Sequence, residues 1–268
     1  MSAKSNDDRA GVAHWDENYD LVERSNEAFD PIPGVRGYAR RCWDKKLRGA
    51  LAKVAGPEAQ LLELGCGGSA LLPYFANQLD FLVSGIDYSE SGIESARRLC
   101  SVHKVDAELI FGDFFNPPAQ YLGKFDAVVS FGVVEHFTDT DKTVRLFSDF
   151  LKPGGILITT VPNMLGLSGL GQKLLSRSIY NIHETITPER LRTAHEKANL
   201  KVESCDYFLF NNFGAINPGV APSSLARIGF LGLRSITGAT WAAESMLGSF
   251  VPNRVTSPYV VAVAQKGM

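Results

Sequence analysis

Between residues 60 and 161, short apolar runs alternate with segments of helical period, and that alternation constrains the fold more than any other feature of the chain. QLLEL (60–64), FLVSGID (81–87), AELIFGD (107–113), FDAVVSF (125–131) and GILITTV (155–161) read as strands. SALLPYFANQ (69–78), SESGIESARRLCSVH (89–103) and DKTVRLFSDFL (141–151) read as helices. The first carries Pro73 in its opening turn and the second has Ser89 as N-cap. Strand–helix–strand units in succession build a parallel sheet, and strands as apolar as AVVSF and ILITTV need both faces covered. The expectation is a three-layer α/β fold.

The flanks add to this core. Residues 35–55 place Val35, Tyr38, Cys42, Leu47, Leu51 and Val54 at roughly helical spacing, stopped by Gly56-Pro57. Residues 166–171 read as a Gly/Ser-rich loop, and Thr187-Pro188 opens the helix PERLRTAHEKANL. KVESCDYFLF (201–210) and SPYVVAVAQK (257–266) alternate as strands. Between them, 211–256 holds only Arg227, Arg234, Glu244 and Arg254 as charged residues. So long and apolar a connection is expected to be a lid over a partly apolar ligand, a homodimer surface, or added packing on the core.

Composition excludes several classes. Apolar residues make up 45% of the 268 and charged residues 21%, which is ordinary for a globular chain and not for a disordered, fibrous or coiled-coil one. Lys+Arg 27 against Asp+Glu 29 gives a net charge of −2, so no global positive field favours nucleic acid. Cys42, Cys66, Cys100 and Cys205 contain no CxxC pair, which points to reduced thiols and a cytoplasmic protein. The start, MSAKSNDDRAG, lacks the apolar core of a secretory leader, and no run is apolar enough to span a membrane.

The chemistry centres on Glu63-Leu64-Gly65-Cys66-Gly67-Gly68-Ser69, at the join of the first strand and its helix. Gly65 and Gly67 let the backbone turn tightly and approach a ligand, and helix amides point at that place. Asp87 ends the second strand, where a carboxylate can accept both hydroxyls of a ribose. Asp113 ends the third strand, placed to accept from an adenine amino group with Phe114 over the ring. Glu63 would repel a pyrophosphate but help to hold an ammonium. Together the acids favour a nucleoside cofactor with a cationic amino-acid tail, a description that fits S-adenosylmethionine.

Here the sequence resembles the class I S-adenosylmethionine-dependent methyltransferases, through ELGCGGS, the GIDYS turn, FGDFF, FDAVVSFGVVEHFTD and LKPGGILITTVPN in that order. The resemblance covers about residues 60–165, with SPYVVAVAQK fitting the last strand. It implies a Rossmann-like sheet of seven strands, the last antiparallel and inserted beside the fifth. It also implies a helical cap over 1–58 and a methyltransferase domain over 59–268 that carries the 211–256 insertion. Glu63, Gly65, Cys66 and Gly67 would hold the methionine portion, and Asp87 the ribose with Tyr88 beside the adenine. Asp113 and Phe114 would contact adenine, and Ser130 with Phe131 would pass under the cofactor. Ser69 stands where the commonest family pattern has a third glycine. HWDENY (14–19) looks like the cap segment, with Trp15 and Tyr19 on one helix face, placed for cation–π contact with the sulfonium or simply for packing.

Methyl transfer to an alcohol needs a proton acceptor. His136, past the fourth strand, and His183, past the fifth, face the end of the sheet where ligands bind; either is a candidate base, or a structural residue. His14, His103 and His195 lie on polar segments and read as solvated, and no histidine–carboxylate spacing suggests a metal. Arg40, Arg41, Lys45, Lys46 and Arg48 read as a solvated face, or as a contact for an acidic substrate. An amino-methylating nucleic-acid enzyme would carry Asn/Asp-Pro-Pro-Tyr where this chain has Ser130-Phe131-Gly132-Val133. An oxygen, or a nitrogen, of a natural product, sugar, quinone or lipid precursor is therefore the expected acceptor. Two alternatives are an NAD(P)-dependent oxidoreductase on a similar glycine turn, which would lack a Tyr-x-x-x-Lys pair here, and a non-catalytic partner subunit.

Overall fold

The computed structural model describes residues 8–21, 28–217 and 223–268. Its seven strands are β1 (Gln60–Leu64), β2 (Leu82–Asp87), β3 (Ala107–Phe111), β4 (Phe125–Phe131), β5 (Leu151–Pro162), β6 (Leu200–Phe208) and β7 (Tyr259–Lys266). They form one sheet in the order β3-β2-β1-β4-β5-β7-β6. The first five run parallel, while β7 pairs antiparallel with β5 and with β6. The strand order reverses between β1 and β4, so the carboxyl ends of these two strands open a crevice there.

The helices are α1 (Val12–Leu21), α2 (Tyr38–Leu51), α3 (Leu71–Leu79), α4 (Glu90–Val102), α5 (Thr140–Asp149), α6 (Leu167–Leu175), α7 (Arg177–Asn181), α8 (Pro188–Lys197) and α9 (Ser224–Leu247). They cover both faces of the sheet. On one face Trp43, Leu47 and Leu51 of α2 pack with Leu72, Phe75 and Ile93 of α3 and α4 against Leu61, Val83, Val129 and Ile158. On the other, Val144, Phe147, Leu191 and Ala194 of α5 and α8 pack against Leu62, Val128, Leu157 and Ala262. Burying a side chain of this size contributes about 1.5–3 kcal/mol. Helix starts follow their caps: the Ser89 hydroxyl accepts from the Gly92 amide, and the Thr187 hydroxyl from the Arg190 amide.

Four local expectations need correction. Trp43, not Cys42, completes the buried stripe of α2, because 43, 47 and 51 are spaced by four and face the sheet. Pro153-Gly154-Gly155 lies inside β5 as an irregularity rather than before it: Phe125 pairs Leu151, yet Ala127 pairs Ile156. The expected loop at 166–171 is the start of α6, and Gly169 is there for closeness, since a Cβ would come within 2.1 Å of the Met164 carbonyl oxygen. His195 is fully buried rather than solvated. Its Nδ1 donates to the Leu191 carbonyl at 2.8 Å, so Nε2 accepts from the Thr159 hydroxyl at 3.0 Å.

Burial holds the pKa of His195 down to about 4. In the unfolded chain it titrates near 6.5, so below that pH only the unfolded state takes the proton. His195→Ala should cost about 2–4 kcal/mol in urea unfolding at pH 7, from the lost packing and the orphaned Thr159 hydroxyl. The stability of the unmodified protein should fall as pH drops from about 6.5 towards 4, and less steeply in the variant.

Candidate active site

The crevice at the ends of β1, β2 and β4 is a cavity of about 240 Å³, lined among others by Trp15, Glu63, Gly65, Gly67, Asp87 and Tyr88. Phe114, Phe131 and His136 complete its wall. The β1–α3 turn is held from below: the Gly65 amide donates to the Ile86 carbonyl at 2.9 Å, and the Gly67 amide to Asp87 Oδ2 at 2.7 Å. Gly65 has φ of 70°, and any Cβ on it would strike Val133 Cγ2 at 2.5 Å. The other oxygen of Asp87 accepts from the Ser89 amide at 2.8 Å, so one carboxylate fixes the glycine turn and the start of α4 together.

The cavity is acidic. Glu63 is 1% exposed, and its Oε2 has no hydrogen-bond partner among the described residues. Burial pushes the Glu63 carboxyl up to about 8, against the pull of the Ser69 hydroxyl. Asp87 is raised as well, by burial against its backbone amides. Among the described residues, no lysine or arginine lines the cavity. An orphaned buried carboxylate beside a second acid suits a cationic ligand and opposes a diphosphate. This donor set therefore fits a nucleoside with an ammonium tail.

A second cavity of about 250 Å³ adjoins the first and shares Trp15 and His136 with it. Its other walls include Met164, Gln172, Ile179, His183, Ile216 and Tyr259. The Trp15 and His136 rings meet edge-on at 5.0 Å and form the partition. The His136 and His183 rings lie 4.6 Å apart. His136 Nδ1 donates to the Ile182 carbonyl at 3.3 Å and His183 Nδ1 to the Ile179 carbonyl at 2.6 Å, which leaves Nε2 of each as a lone pair. Burial lowers His136 to about 3 and lowers His183 also, so both imidazoles are neutral at pH 7.

The structure brings most of the expected residues together and not others. Cys66 turns away from the cavity: its thiol packs over Gly85 in the core, where any Cβ on that glycine would come within 2.6 Å of the sulfur. Asp113 does not reach the cavity wall; its carboxylate accepts from the Phe115 amide at 2.8 Å and the Asn116 side chain at 3.3 Å in a local turn. Ser130 is fully buried beneath the floor, its hydroxyl unpartnered. The Tyr88 hydroxyl donates to Asp8 at 3.0 Å. The side chain of Tyr19 lies outside the described residues. The basic residues of α2 brace neighbours instead of forming a patch: Arg41 donates to the Ile32 and Gly34 carbonyls, Arg48 pairs with Asp44, and Lys46 donates to Ser204. Gly132, Val133 and Phe137 were legible only as neighbours of Phe131 and His136, and Gln172 carried no sequence signal.

Residues 56–206, more than half of the chain, match the family described as Methyltransferase domain. The chain belongs to the class I S-adenosylmethionine-dependent methyltransferase family. Among curated relatives, the ubiquinone biosynthesis O-methyltransferase of Brucella ovis is 32% identical over 155 residues, covering 53% of this chain and 60% of that protein. The protein of that name from Caulobacter vibrioides is 32% identical over 146 residues, covering 49% and 55%. The chain thus spans about 60% of the length of the curated relatives it matches. Among solved structures, geranyl diphosphate C-methyltransferase from Streptomyces coelicolor A3(2) superposes with a TM-score of 0.61 at 14% identity, covering 99% of this chain and 100% of its own. The cyclase SpnF gives 0.62 at 14%, covering 96% of each. At such identities these two speak for the methyltransferase fold alone.

Asp87→Ala should weaken binding of S-adenosylhomocysteine, measured by calorimetry, by about 1–3 kcal/mol, since it removes a charged acceptor and loosens the glycine turn. An unchanged affinity would remove Asp87 from the site.

Proposed function

We propose that the protein transfers the methyl group of S-adenosylmethionine to an oxygen of a small, partly apolar molecule. The observation that carries this is the pair of adjoining cavities, one acidic and nucleoside-shaped in its donors, the other mixed, meeting at Trp15 and His136. When bound, the sulfonium supplies an already activated methyl group. Glu63 meets the ammonium, Asp87 the ribose hydroxyls, and Tyr88, Phe114 and Phe131 enclose the adenosine. Trp15, carried on α1, closes the donor side as part of a cap. The acceptor sits beyond it, where its oxygen can be aligned with the S–CH3 bond. The lone pair on that oxygen forms the new O–CH3 bond, the S–CH3 pair returns to sulfur, and the hydroxyl proton leaves past the His136–His183 imidazoles to solvent water.

Oxygen rather than nitrogen is favoured by the relatives named ubiquinone biosynthesis O-methyltransferases. An acceptor with apolar surface is favoured by Met164, Ile179, Ile182 and Ile216 on the second cavity. The 211–256 segment serves as its lid: the turn at Phe213–Ala215 is tied to α9 through the Thr237 hydroxyl, which accepts from the Phe213 amide at 3.0 Å, and Ile216 reaches the cavity. The exposed Ile228, Leu231, Ile236 and Met246 on the outer side of α9 suit a homodimer contact. Cytoplasmic action is in keeping with four free cysteines and with the lack, among the described residues, of any helix long and apolar enough to cross a membrane.

Labelled S-adenosylmethionine, offered with panels of phenols, sugars and amines, should yield labelled products from the hydroxyl compounds. Tight NADH binding without S-adenosylhomocysteine binding would overturn the proposal. His183→Ala should lower turnover about 100-fold or more while leaving S-adenosylhomocysteine affinity unchanged, as expected of a group that serves the acceptor hydroxyl and not the cofactor. Unaltered turnover would retire it from the reaction.

A further inference from the structure

Sequence spacing gave no reason to expect a metal, because the relevant residues lie 47 positions apart. Glu135 and His136 sit on the turn after β4, Val134–His136, and His183 on the connection after α7. Two backbone-level contacts stitch those segments together: the Glu184 amide donates to the Glu135 carbonyl at 2.6 Å, and the Ile182 carbonyl accepts from the His136 ring. As a result, one ligand-type atom from each of Glu135, His136 and His183 lies within 4.8 Å of the other two.

We propose that Glu135, His136 and His183 form a binding site for a divalent transition-metal ion such as Zn2+, beside the acceptor cavity that the two histidines line. Three independent features of the molecule support it. The donor set, two imidazoles and one carboxylate, is one that Zn2+ and its neighbours take while keeping a position open. Each imidazole already donates its Nδ1 hydrogen to a backbone carbonyl, the arrangement that fixes a ligating tautomer and aims the Nε2 lone pair. Glu135 is 1% exposed, its Oε2 has no hydrogen-bond partner, and its Oε1 stands 4.0 Å from His136 Nε2. A buried carboxylate without a partner is costly, and a cation is the partner that removes that cost.

The required movement is small. Ligand atoms about 2.1 Å from one ion in a tetrahedral site stand roughly 3.4 Å apart, so closing from 4.8 Å takes about 1.4 Å of side-chain adjustment. Burial raises the Glu135 carboxyl to about 8 in the metal-free protein; a bound cation would return it to the ionised form. The nearby Arg9 charge is held by its ion pair with Glu184 and by the Asn181 carbonyl, so it does not compete for Glu135. His136 lines both cavities and His183 the second, so an ion held by the two imidazoles would adjoin the acceptor space. On the methyl-transfer reading above, on which only this last step rests, the imidazole pair acts on the acceptor hydroxyl through the ion. The hydroxyl oxygen coordinates, its proton passes to solvent water, and its lone pair remains for the methyl group.

The test uses tag-free full-length protein stripped with a chelator and dialysed free of it. Co2+ alone is titrated and followed by its visible absorption bands, and Zn2+ alone by calorimetry, beside S-adenosylhomocysteine on the same samples. Wild type should bind one equivalent of each metal, with the cobalt bands of mixed nitrogen and oxygen ligation. Glu135→Gln and His183→Gln should each weaken metal binding about 100-fold while leaving S-adenosylhomocysteine binding intact, which also shows that they are folded. Absence of binding to wild type, or wild-type metal affinity in the half-buried His183→Gln, overturns the proposal. Loss of S-adenosylhomocysteine binding with metal binding retained counts instead against the methyl-transfer reading.

Discussion

A carboxyl taken out of water with one oxygen unpartnered is costly to ionise, and this fold places Glu63 in that state at the end of its first strand. The cost is imposed by topology. β1 is the middle strand of the five parallel ones, flanked by β2 and β4, so its last residues are screened on both sides within the sheet. Its end meets the crevice where the strand order reverses. A chain that keeps an acid there keeps it for something cationic that arrives from the crevice, and the other features of the site are arranged around that choice. Asp87 draws the Gly67 amide down, which holds the glycine turn clear of the space above Glu63.

The same reversal explains why donor and acceptor spaces adjoin. The chain leaving β4 must cross the crevice mouth before α5 begins, and it does so in a turn that carries Glu135 and His136. The chain leaving β5 runs over the same end and delivers α6, α7 and His183. Two successive crossovers therefore meet above one sheet edge, and His136, between them, becomes a wall common to both cavities. Trp15 completes that wall from α1, which is anchored where Asp16 accepts from the Ser89 hydroxyl at 2.6 Å.

The parts of the molecule that were legible in sequence share a physical character: they are set by local pattern. β4 was readable to its end residues because FDAVVSF is a mainly apolar run flanked by turns, and α4 and α8 because Ser89 and Thr187 are caps with their bonds made locally. Glu63, Gly65, Gly67 and Asp87 were legible because a glycine turn between acids has few other uses. What the sequence hid depends on distant packing. Cys66 looked like a site residue until the empty space over Gly85 claimed its thiol. Asp113, expected to accept from an adenine amino group, also accepts from two donors of its own turn, which no spacing announced. His195 sits in a polar helix, and only the approach of α8 to Thr159 reveals that its imidazole is interior. The Glu135–His136–His183 meeting is likewise a property of two crossovers and not of any spacing.

The central claim is that the desolvated Glu63 carboxyl waits for a cationic tail, and proton counting tests it most directly. At pH 7 a carboxyl with a pKa of about 8 holds its proton in most molecules. An arriving ammonium should ionise it. S-adenosylhomocysteine titrated calorimetrically at pH 7 in two buffers of different ionisation enthalpy should release a proton on binding, and Glu63→Gln should abolish that release. Binding with no proton released by the unmodified protein would contradict the account.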